Sequence, residues 1–216
     1  MKKIFFIVFL FLNQSQNIFS KEFKLQEAIN GLNSPWSLSF ISNDRVIATE
    51  KSGNLMLIDF NINEIKKIKH NLNILEDGQG GLLEVLYFKD QVFVSYSEDL
   101  KRGYSTTSVA KANFNENELN FQNIFRAEPP INSGYHFGSR LVIKDNLLYI
   151  TAGERGKGMI AQDPLKHPGS IIRVHLDGEI PKDNPKFTGK KDWLPEIYQI
   201  GVRNPQGMDL SPFDNK

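Results

Sequence analysis

The chain has 216 residues, no cysteine, and 26 Lys and Arg against 25 Asp and Glu, for a formal charge of +1. That balance excludes the basic footprint of a nucleic-acid binder. The absence of thiols excludes disulfides and thiolate metal sites, so the fold must hold by its core and any metal must be bound through oxygen or imidazole.

Residues 1–20 come first. Lys2 and Lys3 precede the apolar run 4–12, the polar run 13–17 follows, and Ser20 stands before Lys21. This is the layout of a secretory signal with cleavage expected before Lys21, and the apolar run is too short for the alternative, a retained membrane anchor. The expected mature chain, 21–216, is therefore periplasmic or secreted, with no stable membrane insertion. Losing Lys2 and Lys3 takes the formal charge from +1 to −1.

Beyond the signal, one plan recurs at intervals of some tens of residues: strand, turn, strand, turn, strand. The expected first strands are 35–40, 81–88 and 140–143, each starting at or soon after Gly or Pro or after a Gly-rich run. The second strands are 45–49, 91–96 and 146–151, and the third are 54–59, 107–112 and 170–175. Residues 140–151 alternate and turn at Asp145-Asn146 like a β-hairpin. A further first strand is expected at 207–212, after which the chain ends at Lys216. The basic cluster Lys66-Lys67-Ile68-Lys69-His70 reads as the solvated side of one strand. No sustained helical period occurs except for a possible turn near Asn132.

Repeated units of this kind are how a β-propeller is written in sequence, because each blade buries its faces against its neighbours. A β-sandwich is the alternative, with shorter and more even connections than 101–131 and 178–197. In the propeller reading, 37–40, 82–88, 140–143 and 207–211 are the innermost strands of successive blades. The chain then comprises about three blades plus the first strand of a fourth, and is expected to be a truncated product or a partial sequence, or else to need something else to complete it.

His136 lies in the run Ser133-Gly134-Tyr135-His136-Phe137-Gly138-Ser139-Arg140-Leu141, between a Pro-rich loop and the 140–151 hairpin. Pro129 and Pro130 cannot donate to a strand ladder, so the chain leaves the sheet just before the imidazole. An imidazole mounted there can take a proton from a substrate hydroxyl and return it. The competing reading is that His136 caps a loop and hydrogen-bonds to backbone.

Five blocks then occur in order. They are Gly31-Leu-Asn-Ser-Pro-Trp-Ser-Leu38, Gly78-Gln-Gly-Gly-Leu-Leu83, His136-Phe-Gly-Ser-Arg-Leu141, Ala161-Gln-Asp163 with Gly169-Ser-Ile-Ile-Arg173, and Gly201-Val-Arg-Asn-Pro-Gln-Gly207. Together, from about Leu32 to Pro212, they resemble the soluble sugar dehydrogenases that depend on pyrroloquinoline quinone (PQQ), also called glucose/sorbosone or aldose sugar dehydrogenases. The resemblance implies an all-β, six-bladed β-propeller of which 21–216 is the N-terminal part, with PQQ at the mouth of the central channel together with Ca²⁺.

By motif, the resemblance implies that His136 is the base that takes the anomeric hydroxyl proton as hydride passes from the sugar C1 to the quinone. It also implies that Arg203, Asn204 and Gln79 contact the cofactor. A guanidinium aimed at the quinone oxygen would stabilise the charge that develops there, which gives Arg203 a catalytic part as well. The three carboxylates of PQQ suit cationic and amide donors. Arg155, just after a strand at the channel-facing end, is expected to approach substrate or cofactor. No residue is assigned to metal, because the family's Ca²⁺ ligands and further cationic cofactor ligands lie downstream of Gly207.

Structural alternatives stand beside these roles: an Arg203–Asp209 pair, a turn hydrogen bond for Gln79, and an ion pair between Asp163 and Arg173. Asp177-Gly178 and Asp183-Asn184-Pro185 read as turns. His167 and His175 lack partners at metal spacing and His70 sits in the basic cluster, so each is expected at the surface or in the core. Two functions follow. The first is an exported dehydrogenase that oxidises aldoses to lactones and passes electrons to an external acceptor. The second is a non-catalytic propeller that binds a protein or glycan through its loop face. His136, Gln79, Arg203 and Asn204 together favour the first, since a binding module has no need for a base beside a cationic pair.

Overall fold

In a computed structural model, residues 23–186 and 192–214 are described, so the expected signal segment and its cleavage point lie outside them. Three sheets follow one another along the chain. The first holds β1 (Pro35–Phe40), β2 (Arg45–Glu50), β3 (Leu55–Asp59) and β4 (Glu64–His70) in sequence order. The second holds β5 (Leu82–Phe88), β6 (Gln91–Asp99) and β7 (Ser105–Asn113); the short β8 (Glu118–Leu119) leaves it before β9 (Gln122–Arg126) closes it. The third is β10 (Gly138–Lys144), β11 (Leu147–Ala152), β12 (Ser170–His175) and β13 (Ile197–Ile200). All pairings within these meanders are antiparallel.

Alternation along the strands gives each sheet two apolar faces, which stack in series. Ile47, Leu55, Leu57 and Ile68 of the first sheet pack on Leu82, Val85, Val92 and Val94 of the second. The opposite face of the second sheet, with Phe93, Val109 and Phe125, packs on Leu141, Leu148, Ile150 and Ile172 of the third. On the outer side of the first sheet, Val46, Ala48 and Ile58 are covered by Ile29 and Leu32 of the incoming chain. Because β1 and β10 both lie against β5, the first strands gather at one edge of the stack.

Two hairpins close through turns that need left-handed backbone at both central residues: Lys89-Asp90 (φ 49° and 59°) and Asp145-Asn146 (φ 52° and 59°). Asp and Asn tolerate this conformation, so the hairpin expected at 145–146 forms. In β4 Ile68 is buried while Lys67 and Lys69 are exposed, as expected for the basic cluster.

Three expectations are corrected. Each unit has a fourth strand, and β4, β9 and β13 supply it. Only Phe125 of β9 is buried and β13 has four residues, so both outer-edge strands leave little apolar pattern: β9 lay hidden inside 101–131, and β13 begins where 178–197 ends. The same 101–131 stretch sends β8 across to pair in parallel with β4, strapping the second sheet to the first. Residues 207–211 form no strand, because no strand among the described residues pairs with them. The single helix among the described residues is a 3₁₀ turn at Gly158–Gln162 rather than near Asn132. At that point Ile131 instead forms an isolated bridge with Ser105, which re-anchors the chain after the two prolines.

Candidate active site

At one end of the stacked sheets, the loops before β5 and β10 and the segments after β11 and β13 converge. They carry Gln79, His136, Glu154 and Arg203-Asn204 respectively. His136 sits at φ 50°, a left-handed conformation held from both sides. Its backbone N–H donates to Gln79 Oε1 at 2.9 Å, and its carbonyl accepts from Arg155 N at 3.3 Å. Gln79 is tied to the same loop a second time, its N–H donating to the Gly134 carbonyl at 2.7 Å.

The His136 ring hydrogen-bonds through Nδ1 to Oε1 of Glu154. A carboxylate only accepts, so Nδ1 carries the proton and Nε2 is left as the basic nitrogen. Glu154 Oε2 accepts the Gly158 N–H at 2.7 Å, so both carboxylate oxygens are engaged. Burial alone would raise the Glu154 carboxyl, but the hydrogen bonds from His136 and the Gly158 N–H outweigh it and hold it below the usual carboxylate range. The side chain of His136 is 15% exposed and that of Glu154 is 4% exposed, so the acid is buried while the imidazole keeps some access to solvent.

Arg203 reaches the same carboxylate. Its Nε lies 3.9 Å from Glu154 Oε1 while its side chain is 81% exposed. The Glu154 N–H donates to the Arg203 carbonyl at 2.8 Å, and Gly138 N donates to Asn204 Oδ1 at 3.0 Å. Asn204 and Gln79 therefore spend their amide oxygens on the scaffold, and no protein acceptor takes their amide nitrogens among the described residues. An exposed guanidinium, two uncommitted amide donors and one basic imidazole thus lie around a single carboxylate. His136 and Arg203 share that carboxylate's Oε1, so one bound molecule can span both.

Two close approaches explain the glycines here. A Cβ at Gly153 would run into the His136 carbonyl, and one at Gly78 (φ +55°) would run into the Gly134 carbonyl. Gly153→Ala is expected to displace the His136 loop and destabilise the fold by about 1–3 kcal/mol, measurable as a lower Tm.

Arg155 is placed differently from expectation. It is 2% exposed, with Nε donating to the Tyr135 carbonyl, Nη1 to the Ser105 carbonyl, and Nη2 to Ser105 Oγ and the Ser133 carbonyl. Its guanidinium carbon lies 3.7 Å from the Phe137 ring centroid. Burial lowers its pKa to about 10. With its nitrogens committed beneath the loop, Arg155 supports His136 rather than meeting a ligand.

The remaining sequence candidates are structural. Asp163 pairs with Lys166 and Arg173 with Asp183, so Asp163 and Arg173 are not partners. The ion pair of Arg203 is with Glu154 rather than Asp209. His167 is buried, bonding Glu196 through Nε2 at 2.8 Å and accepting the Glu128 N–H at Nδ1. Glu154 is the functional residue that sequence reasoning missed. Its one signal is an acid immediately after the apolar strand β11, at the end where His136 is mounted. Among the described residues no group of three or more His, Cys, Asp and Glu is arranged to hold a metal ion.

Comparison with known proteins bears on this site. The family described as Glucose / Sorbosone dehydrogenase matches residues 32–216. Aldose sugar dehydrogenase YliI of Escherichia coli is 33% identical over 194 residues, covering 85% of this chain and 52% of that protein. Quinoprotein glucose dehydrogenase B of Acinetobacter calcoaceticus is 28% identical, over 89% of this chain and 47% of that protein. The crystal structure of the soluble aldose sugar dehydrogenase from Escherichia coli in its apo form superposes with a TM-score of 0.82 at 31% identity, covering 88% of this chain and 57% of that one. The chain spans about half the length of the curated relatives it matches.

Proposed function

Since this chain belongs to the glucose/sorbosone dehydrogenase family, we propose that it is the N-terminal part, residues 21–216, of an exported six-bladed propeller that oxidises aldoses to lactones with PQQ. The observation that carries the reading is the His136–Glu154–Arg203 constellation: a base with its tautomer set by a buried acid, and an exposed cation on the same acid. Closure by further blades fits the exposed Leu38 and Phe40 on β1.

The donor set suits a flat, polyanionic quinone. Arg203 offers a fork for a carboxylate, and the amide nitrogens of Asn204 and Gln79 offer neutral donors. When bound, PQQ would supply the two-electron acceptor for the hydrogen at the sugar C1. His136 Nε2 takes the anomeric hydroxyl proton as that carbon becomes a lactone carbonyl, and Glu154 stabilises the imidazolium that results. Arg203 holds the ligand and faces the charge that develops as electrons arrive. The proton then leaves His136 for solvent and an external acceptor removes the electrons. Ca²⁺ is proposed for the complete protein on the family resemblance, and no residue of this chain is assigned to it.

Reconstitution of the complete protein with PQQ and Ca²⁺, followed by dye reduction with glucose and other aldoses, tests the reading. Turnover with at least one aldose is the expected result. PQQ binding without dye reduction by any sugar would overturn it and leave a loop face that only binds. Export is checked by cell fractionation, with the N-terminus of the mature protein expected at Lys21.

A further inference from the structure

Four consecutive residues after β13 are each tied to the third sheet or to the segment that leaves β11. The Arg203 carbonyl accepts from Glu154 N, Asn204 Oδ1 from Gly138 N, and the Pro205 carbonyl from Thr151 Oγ1 at 2.7 Å. The fourth tie differs in kind. The Gln206 carbonyl accepts two bonds from one side chain, Arg140, from Nε at 3.0 Å and Nη2 at 2.9 Å. The remaining arm of that guanidinium, Nη1, pairs with Oε2 of Glu84 on β5, and Glu84 Oε1 accepts from Ser37 Oγ on β1 at 2.9 Å. Arg140 also lies 5.3 Å from the Trp36 ring centroid. One chain of contacts therefore crosses the first strands of all three sheets and ends on the backbone of the Arg203–Gln206 segment.

The geometry points to Arg140 as a positioning residue for the cofactor-facing Arg203-Asn204 pair, aimed by ionised Glu84 and released when that carboxylate takes a proton. This rests on the reading of Arg203 and Asn204 as quinone contacts. Arg140 belongs to the His-Phe-Gly-Ser-Arg-Leu block, yet its side chain turns away from His136 and spends all three nitrogens on Glu84 and Gln206. A planar fork is needed for this: Nε and Nη2 take one carbonyl while Nη1 takes a carboxylate, which a lysine cannot do.

Glu84 is 5% exposed, and its burial pushes the carboxyl up to about 7, with Arg140 and the Ser37 hydroxyl only partly offsetting it. The charged and titratable groups around it are Arg140 and Asp209, which line the same cavity; its polar neighbours Ser37 and Ser95 are neutral. Glu84 is therefore expected to change charge near pH 7. Above about 7 the ion pair is complete and the segment is held. Below it Arg140 loses its counter-charge and its grip on Gln206 loosens. The stability consequence has the opposite sign. A carboxyl raised in the folded state favours folding at low pH, and that contribution is lost as pH rises to about 7.

Two readouts on the complete protein test this. Trp36 fluorescence, taken as the component lost in Trp36→Phe, is expected to change with a midpoint near pH 7 in the cofactor-free protein, and Glu84→Gln is expected to abolish the change. PQQ affinity, measured by titration from pH 5.5 to 8.5, is expected to be about tenfold higher on the alkaline side, a step that Glu84→Gln flattens and that Arg140→Lys lowers at every pH. A pH step in PQQ affinity that survives unchanged in Glu84→Gln, or a Trp36 signal without a Glu84-dependent transition, would overturn the proposal. Failure of PQQ to bind at any pH with the Trp36 transition intact would instead overturn the quinone reading and leave the clamp supported.

Discussion

His136→Ala in the complete protein is expected to lower kcat by about 10²–10⁴-fold while PQQ binding survives. The loss belongs in kcat because the imidazole acts as the anomeric proton leaves, a step that follows binding. Added imidazole should restore part of the rate by filling the space left by the side chain. Glu154→Gln is expected to lower kcat as well, with little change in KM. An amide can donate as well as accept, so it no longer forces the proton onto Nδ1, and a fraction of the rings presents Nε2 in its protonated form. Full turnover by His136→Ala would mean that another group serves as the base.

Arg203→Ala should behave differently, weakening PQQ binding and turnover together. A charge-assisted bond to a carboxylate is worth about 1.5–3 kcal/mol, roughly a 10- to 150-fold rise in the Kd for PQQ. The guanidinium is 81% exposed as it stands, so its attraction depends on the ligand covering it, and salt should weaken wild-type binding more than that of the variant. Turnover at saturating PQQ should also fall, because the same charge faces the electrons as they arrive. Fluorescence titration at two ionic strengths, paired with dye reduction, measures both effects. An unchanged Kd would remove Arg203 from the cofactor site and leave it as a surface partner of Glu154.

Much of this architecture is legible in the sequence, and the exceptions share a cause. The second and third strands of each unit announce themselves because both faces of their sheets are buried there, so Val46, Ile47, Leu55, Val92, Val94, Ile150 and Ile172 appear as dense apolar runs. The fourth strands β9 and β13 do not, because each of these outer-edge strands buries a single side chain and keeps its polar residues in water. Residues 207–211 show the converse. A strand-like pattern without a partner makes no ladder, since a strand exists only through the hydrogen bonds of its neighbour.

At the site, sequence alone determined which residue types carry chemistry and in what order they occur. His136 follows two prolines, Gln79 lies among glycines, and Arg203-Asn204 stand before a proline, each in a stretch that local rules place outside the strands. Tertiary structure decided what those residues do to one another. Glu154 gained its part by landing beneath an imidazole 18 positions earlier, and Arg155, beside it in the chain, lost a ligand-binding part by being turned under the loop instead. Arg140, inside a recognised block, is directed away from the base and onto the Gln206 backbone by a carboxylate 56 positions upstream. Composition and spacing report what a side chain can donate or accept. Which partner it meets depends on how three stacked sheets bring distant loops to one edge, and that is settled by packing across the whole molecule.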